Sequence, residues 1–282
     1  MKKTAVMTDT NSGITPKTAT EKGIFLLKMP FTVDDAEYTE YVDMPYEEFF
    51  VRLDSGASVS TSQPSPAALT DMWDEILREY ESLVYIPMSS ALSGTCATAK
   101  ALSAEYDNRV FVADTRRISV TLYSDVFKAL RLASDGLSAA EITARLETEA
   151  DMQSIYVAVN TLEHLKKSGR VTAAGAAVGT LLGIKPVLQI QGGKLDAYKK
   201  VRGMQNAVSA MLDGIESDLK TKFGGKNIEI RTAYSGDRSA GEAFLNATAE
   251  RFPEYKIELD ALPMSISCHV GAGALGIGIS II

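Results

Sequence analysis

The chain has 282 residues, enough for two domains at roughly 150 residues each. Hydrophobic residues make up 45% and charged residues 23%, which excludes a disordered chain and supplies a large core. The net charge of -7 argues against a nucleic-acid binder that works by neutralising phosphates. Two Cys and two His are too few for a multi-cysteine zinc site or a disulfide framework, and no metal site is expected.

Lys2 and Lys3 open the chain, but the apolar run Ala5-Val6-Met7 stops at Asp9. A signal peptide needs about 7–15 apolar residues there, so Thr4–Met7 is expected to be a buried strand. Leu83–Ile86 and Val110–Ala113 read as further buried strands. Between them, Leu69, Met72, Trp73, Ile76 and Leu77 recur at helical spacing and predict a helix over Ala67–Tyr80. Helices are also expected over Ser93–Tyr106, Ile118–Ser134 and Ser138–Ala150. The last begins with a capping box, Ser138 with Glu141 three residues on. Strand–helix alternation of this kind predicts a parallel, doubly wound sheet.

The second half reads as a strand at Ile155–Val159, a short helix at Leu162–Lys167, and a hairpin of Lys185–Ile190 and Leu195–Lys200. The hairpin turns at Gln191-Gly192-Gly193. A long helix over Gly203–Lys222 and strands at Ile228–Ala233, Lys256–Leu259 and Leu275–Ile281 complete a second sheet. Residues 1–150 carry 23 acidic and 14 basic side chains, whereas residues 151–282 carry 13 and 15. This asymmetry predicts one α/β domain over residues 1–153 and another over 154–282. No apolar run reaches the roughly 18 residues of a membrane-spanning helix, and a cytoplasmic location is expected.

No G-x-x-x-x-G-K-[ST] is present, so no P-loop is predicted, and no G-x-S-x-G marks a nucleophile elbow. Gly271, Gly273 and Gly276 fit G-x-G-x-x-G, but a dinucleotide fingerprint must open a helix, and only six residues follow. These glycines are expected instead to let the backbone pass close to something, with His269 just before them.

Three constellations remain. Thr61-Ser62-Gln63-Pro64-Ser65-Pro66 precedes a helix, with Ser65 as N-cap and Pro66 in the first turn. Ser89-Ser90-Ala91-Leu92-Ser93-Gly94-Thr95 follows a strand, where parallel sheets bind ligands. There Ser93 is expected to cap the next helix, and the Gly94 and Thr95 N–H groups to face an anion. Hydroxyls and amides without fixed positive charge suit one carboxylate better than a polyphosphate. The third constellation is basic: Lys166, Lys167 and Arg170, then Lys199, Lys200 and Arg202. It reads either as solvated faces or as a docking surface for an acidic partner or a phosphorylated headgroup.

At these residues the sequence resembles the DegV family of bacterial fatty-acid-binding proteins, including its FakB-like members. Thr8–Gly13 resembles the family's T-D-S-T-A-D-L opening. Thr61–Pro66 matches T-S-Q-P-S/T, and Ser89–Thr95 matches S-S-x-L-S-G-T. Leu162–Val171 resembles L-E-Y-L-K-K-G-G-R-I, with His164 and Ser168 departing. His269–Gly276 resembles H-x-G-P-G-A-L-G, with Ala272 for proline. The resemblance implies two α/β domains with a long-chain fatty acid, such as palmitate, held between them and no other cofactor. It implies a carboxylate held by Thr61 and Ser93, with Ser62, Gly94 and His269 near the headgroup. It further implies presentation of the acid to a separate fatty-acid kinase, with Arg170 and Arg202 in partner docking and at most transient membrane contact.

Two other classes compete. One is an acyl-ester hydrolase with Ser93 as nucleophile, His269 as base and Asp9 or Asp114 as orienter. The other is a regulatory module for which the lipid is a signal. The small residues of Ala173–Gly179 would let an acyl tail run along a helix backbone, or simply allow tight packing.

Overall fold

The structure is a computed structural model that describes residues 2–176, 183–191 and 193–282. The chain divides into two compact units, one of residues 1–30 and 62–151, the other of residues 31–61 and 152–282. The first unit holds a four-stranded sheet of Lys2–Asp9, Phe25–Leu27, Tyr80–Ile86 and Val110–Val112, with Lys2–Asp9 and Tyr80–Ile86 central. Every pairing in it is parallel.

Alternation along the strands sends side chains to both faces, and each face has its own core. Ala5, Met7, Leu83 and Tyr85 pack with Leu69 and Trp73 of helix Pro66–Ile76 and Cys96 and Ala99 of helix Thr95–Ser103. Val6, Val84 and Ile86 pack with Leu122 and Val126 of helix Ser119–Ser134 and Ile142 and Leu146 of helix Ala139–Thr148. Helices on both faces make this sheet doubly wound. The capping box at Ser138 and Glu141 is present.

The second unit has a six-stranded mixed sheet. Its order is Lys194–Arg202, Ile184–Gln191, Gln153–Ala158, Leu275–Ile281, Ile228–Tyr234, Ile257–Ala261. All neighbours are antiparallel except the last pair, which is parallel. Helix Met204–Thr221 lays Ala207, Ala210, Met211 and Ile215 on this sheet. These positions follow the i, i+3, i+4 spacing of a core-facing stripe.

The domain boundary expected at residue 153 is close to where the chain last changes unit, but the two-segment division departs from the structure. Residues 31–61 belong with the second unit. They form a small sheet of Pro30–Val33, Ala36–Thr39 and Val59–Thr61 and the helix Tyr46–Asp54. Phe31, Val33, Phe49 and Phe50 bury themselves against Met264 and Cys268, more than 200 residues away in sequence. Burial of this aromatic cluster, with ring pairs such as Phe31–Phe49 at 5.7 Å, assigns the segment to its unit. Among the described residues, no helix is long and apolar enough to cross a membrane.

Candidate functional site

In the second unit, Thr61 closes strand Val59–Thr61 and pairs antiparallel with Phe31. Helix Met264–Val270 follows Pro263 and ends at Gly271. Met264 and Cys268, one turn apart, face the aromatic cluster. His269, the next residue, is turned by about 100° from Cys268 and meets Thr61. His269 Nε2 and Thr61 Oγ1 are 2.8 Å apart. Burial, with the charge of Arg170 and then His164 adding to it, holds the His269 pKa down at about 4, so the ring is neutral at pH 7.

A neutral imidazole carries one N–H. Nδ1 is buried with no hydrogen-bond partner among the described residues. A proton on Nδ1 would be an orphaned buried donor, the costlier kind of unsatisfied group. We assign the proton to Nε2, which donates to Thr61 Oγ1. The Thr61 hydroxyl then keeps its own hydrogen to donate.

The glycines after His269 make room for side chains. Gly271 has φ +74°, and a Cβ there would lie 2.9 Å from the His164 ring. Gly273 also has φ +74°, and its Cβ would lie 2.2 Å from Asn160 Nδ2, which donates to Ala272 O at 3.0 Å. Ser235 staples this turn: its Oγ donates to Gly271 O at 2.5 Å and accepts from Ala274 N at 3.0 Å. Strand Leu275–Ile281 follows directly, as the sequence predicts, so no dinucleotide-binding helix opens here. Ser235, at the end of a strand with no motif around it, gave no signal in the sequence.

In the first unit, Ser65 Oγ accepts from Ala68 N at 3.1 Å and Pro66 begins the helix, as expected. The Ser93 turn differs from its prediction. The helix starts at Thr95 with Gly94 as N-cap, because Ser93 Oγ turns inward and accepts from Thr95 N at 3.2 Å. It also lies 2.9 Å from Thr95 Oγ1. The Thr95 N–H is therefore engaged by Ser93 and not open to an anion as expected. Gly94 is exposed, and a Cβ there would press on the Gln63 side chain at 3.2 Å. Gln63 Oε1 in turn accepts from Thr98 Oγ1 at 2.9 Å. Gln63 thus draws the Ser62–Pro64 stretch over the Ser93–Gly94 turn within this unit. Ser62 itself is exposed.

Asp9 is fully buried, and burial raises its pKa to about 6 against the pull of its hydrogen bonds. It accepts from Asn11 Nδ2 at 2.9 Å, Asn11 N at 3.0 Å and Met88 N at 3.3 Å. Asp114 accepts from Ser90 N and Arg116 N, each at 3.3 Å. Both carboxylates brace the loop ahead of Ser93. With Nδ1 of His269 unpartnered, neither acts as the orienter a Ser–His–Asp arrangement requires.

The basic residues separate by exposure. Lys166, Lys167, Lys199, Lys200 and Arg202 are all exposed. Arg170 is half-buried, with Nη1 donating to Ser168 O, and Lys167 Nζ donates to Ser58 Oγ at 3.3 Å. Arg170, Lys167 and His164 line a cavity of about 350 Å³ whose lining includes Thr61 and His269. In the small-residue stretch, a Cβ on Gly175 would lie 2.5 Å from Val171 Cγ2, so close packing explains that glycine. Ala177 and Gly179 lie outside the described residues. Among the described residues, no group of three or more His, Cys, Asp or Glu is placed to hold a metal ion.

Known proteins resemble this chain over nearly its whole length. A DegV domain-containing protein of Deinococcus radiodurans is 27% identical over 277 residues, covering 98% of this chain and 97% of the relative. The structure of a DegV family protein from Thermus thermophilus, described as fatty-acid binding, superposes with a TM-score of 0.90 at 29% identity, covering 99% of this chain and 100% of that one. DegV of Bacillus subtilis, described as a fatty acid binding protein, shares the fold with a TM-score of 0.87 at 22% identity over the whole of both chains. A family model described as "Uncharacterised protein, DegV family" matches residues 3–281, and the chain belongs to the DegV family.

Proposed function

We propose that this protein binds a long-chain fatty acid and that the hydroxyls of Thr61 and Ser93 hold its carboxylate. The Ser62 hydroxyl and the Gly94 N–H are further donors to the same group. The observation that carries the reading is the 2.8 Å contact between a neutral His269 and Thr61. With the proton on Nε2, the Thr61 hydroxyl accepts from His269 and keeps its own hydrogen to donate. A ligand that only accepts hydrogen bonds, such as an ionised carboxylate, satisfies it. The 29% identity to the Thermus thermophilus protein, described as binding fatty acid, supports the same ligand class.

The affinity would come from the tail. Each buried CH2 contributes about 0.8 kcal/mol, so a C16 chain such as palmitate offers on the order of 10 kcal/mol before ordering costs. The headgroup donors fix position more than strength. Thr61→Ala and Ser93→Ala are each expected to weaken palmitate binding by about 1–3 kcal/mol, the cost of a buried acceptor left unsatisfied. Equilibrium titration with a fluorescent fatty acid displaced by palmitate measures this. Unchanged affinity in both variants would remove the headgroup assignment.

The reading is of a non-catalytic, cytoplasmic carrier without a cofactor. Cys96 and Cys268 are free and buried, as suits a reducing compartment. The sequence has no P-loop, and the reading assigns phosphorylation of the bound acid to a separate kinase. Arg202, exposed at the end of strand Lys194–Arg202, is the residue we place in docking to it. Arg170 is half-buried on the cavity beside Thr61, a position that suits the ligand's head group as well as a partner.

A further inference from the structure

Three consecutive backbone N–H groups anchor the loop that carries Ser93. Met88 N donates to Asp9 Oδ2 at 3.3 Å, Ser89 N to Arg117 O at 2.8 Å and Ser90 N to Asp114 Oδ1 at 3.3 Å. Ser89 O then accepts from Ser93 N at 3.1 Å, so Ser93 stands one backbone bond from the anchored residues. The three anchors differ in kind. Arg117 offers a main-chain carbonyl, and Asp114 is only half-buried. Asp9 is a fully buried carboxyl at the end of the central strand Lys2–Asp9. The pairing of the strands does not depend on it: Thr8 already pairs with Ile86, and Thr8 Oγ1 donates to Ile86 O at 2.8 Å. Burial opposes the Asp9 charge and raises its pKa to about 6, which leaves it ionised at pH 7.

The groups around Asp9 call for a carboxylate. Oδ1 accepts from Asn11 N at 3.0 Å and from Asn11 Nδ2 at 2.9 Å. Oδ2 accepts from Met88 N, with the Tyr85 hydroxyl at 3.5 Å. Both oxygens thus meet N–H donors, and an ionised carboxylate accepts on both. An amide keeps one acceptor. With that oxygen on the Asn11 donors, its NH2 faces the Met88 N–H and the anchor is lost. We propose that Asp9 is a positioning residue for the ligand's head group, placing the Ser93 hydroxyl through Met88 and the Ser89–Ser93 turn. The proposal rests on the fatty-acid reading, in which Ser93 donates to the carboxylate, and adds the residue that sets where that donor stands.

Palmitate and hexadecanol, one tail with a charged and an uncharged head, test it. Each is titrated against the native protein, Asp9→Asn, Ser93→Ala and the double variant. Asp9→Asn is expected to weaken palmitate binding about tenfold, the scale of one charge-assisted hydrogen bond lost at the head, and to change hexadecanol binding less than twofold. In the Ser93→Ala background the same substitution is expected to cost palmitate less than twofold, because Asp9 acts through Ser93. Equal losses for the two ligands would make Asp9 a structural residue only and overturn the proposal. A tenfold palmitate loss that persists in the Ser93→Ala background, or no loss at all, would also overturn it. Hexadecanol binding reports that a variant is folded. If Asp9→Asn binds neither ligand, Asn11→Ala takes its place, removing one bond to Oδ1; a threefold loss for palmitate alone is then expected, and equal changes for both ligands overturn the proposal. Failure of the native protein to bind palmitate would strike the fatty-acid reading and the proposal together, whereas the outcomes in the variants strike the proposal alone.

Discussion

Arg117→Met is expected to cost about 3–5 kcal/mol of stability and to loosen the turn that carries Ser93. Arg117 is fully buried and its Nε lies 2.9 Å from Asp125 Oδ2, whose side chain is 2% exposed. Its Nη2 also donates to Glu149 O at 2.9 Å. Removing the guanidinium takes away the strongest favourable contact of the buried Asp125 charge and leaves only weaker ones, Lys128 among them. Burial already pushes the Asp125 pKa up to about 6 despite Arg117. Without Arg117 the carboxyl would rise further and take a proton, so the deficit should shrink on acidification. The double variant Arg117→Met/Asp125→Leu should recover much of the loss, because a buried ion pair is nearly neutral against an apolar replacement.

The effect reaches the binding loop through the backbone. Ser89 N donates to Arg117 O at 2.8 Å, and Ser89 O accepts from Leu92 N and Ser93 N at 3.0 and 3.1 Å. Arg116 and Ser119, on either side of Arg117, sit at φ +54° and +53°, which non-glycine residues hold only under tertiary support. Urea unfolding of the single and double variants at pH 7 measures the energy. A single-variant loss below about 1 kcal/mol would mean that the pair does not anchor this loop.

The stability advantage of the native protein over His269→Gln is expected to shrink by about 3 kcal/mol as pH falls from 6.5 to 4. The folded pKa of His269 is about 4, below the ordinary histidine value of 6.5 that holds in the unfolded chain. A depressed pKa contributes stability that is present above 6.5 and lost as pH falls toward 4, since the unfolded chain takes up the proton first. Asp9 and Asp125, both raised to about 6, act in the opposite sense: their contribution is present at low pH and lost as pH rises through 6. They are common to both proteins and cancel in the difference. Urea unfolding of the pair across this range makes the comparison. A difference that does not vary with pH would contradict a buried, neutral His269 and with it the proton assigned to Nε2.

The parts of the fold that were legible in the sequence are those built from local pattern. The central strands, the capping box at Ser138 and the Ser65-Pro66 helix start are each written within a few residues. The hairpin of Ile184–Gln191 and Lys194–Arg202 is legible for the same reason. The segment from Phe31 to Thr61 was not. Its strands are three or four residues long, too short to show a period, and its core partners Met264 and Cys268 lie at the far end of the chain. Helix Met264–Val270 is not legible either, being seven residues with no side-chain cap, so the sequence marks His269 only as a residue ahead of glycines.

Site residues followed the same division. Thr61, Ser93, Gly94 and His269 stand out by motif, but what each side chain touches does not. Ser93 reads as a plain N-cap, yet its hydroxyl closes a turn on Thr95 and moves the cap to Gly94. The contact of Thr61 with His269 spans 208 residues, and that of Arg117 with Asp125 joins a loop to a helix face. Such pairings depend on how elements meet, which no local spacing encodes.

The most direct measurement is solvent extraction of the purified, unheated protein followed by mass spectrometry of the extract. A long-chain fatty acid at close to one per chain is the predicted result. An empty extract, together with failure to load palmitate or oleate afterwards, would contradict the assignment of this protein as a fatty-acid carrier.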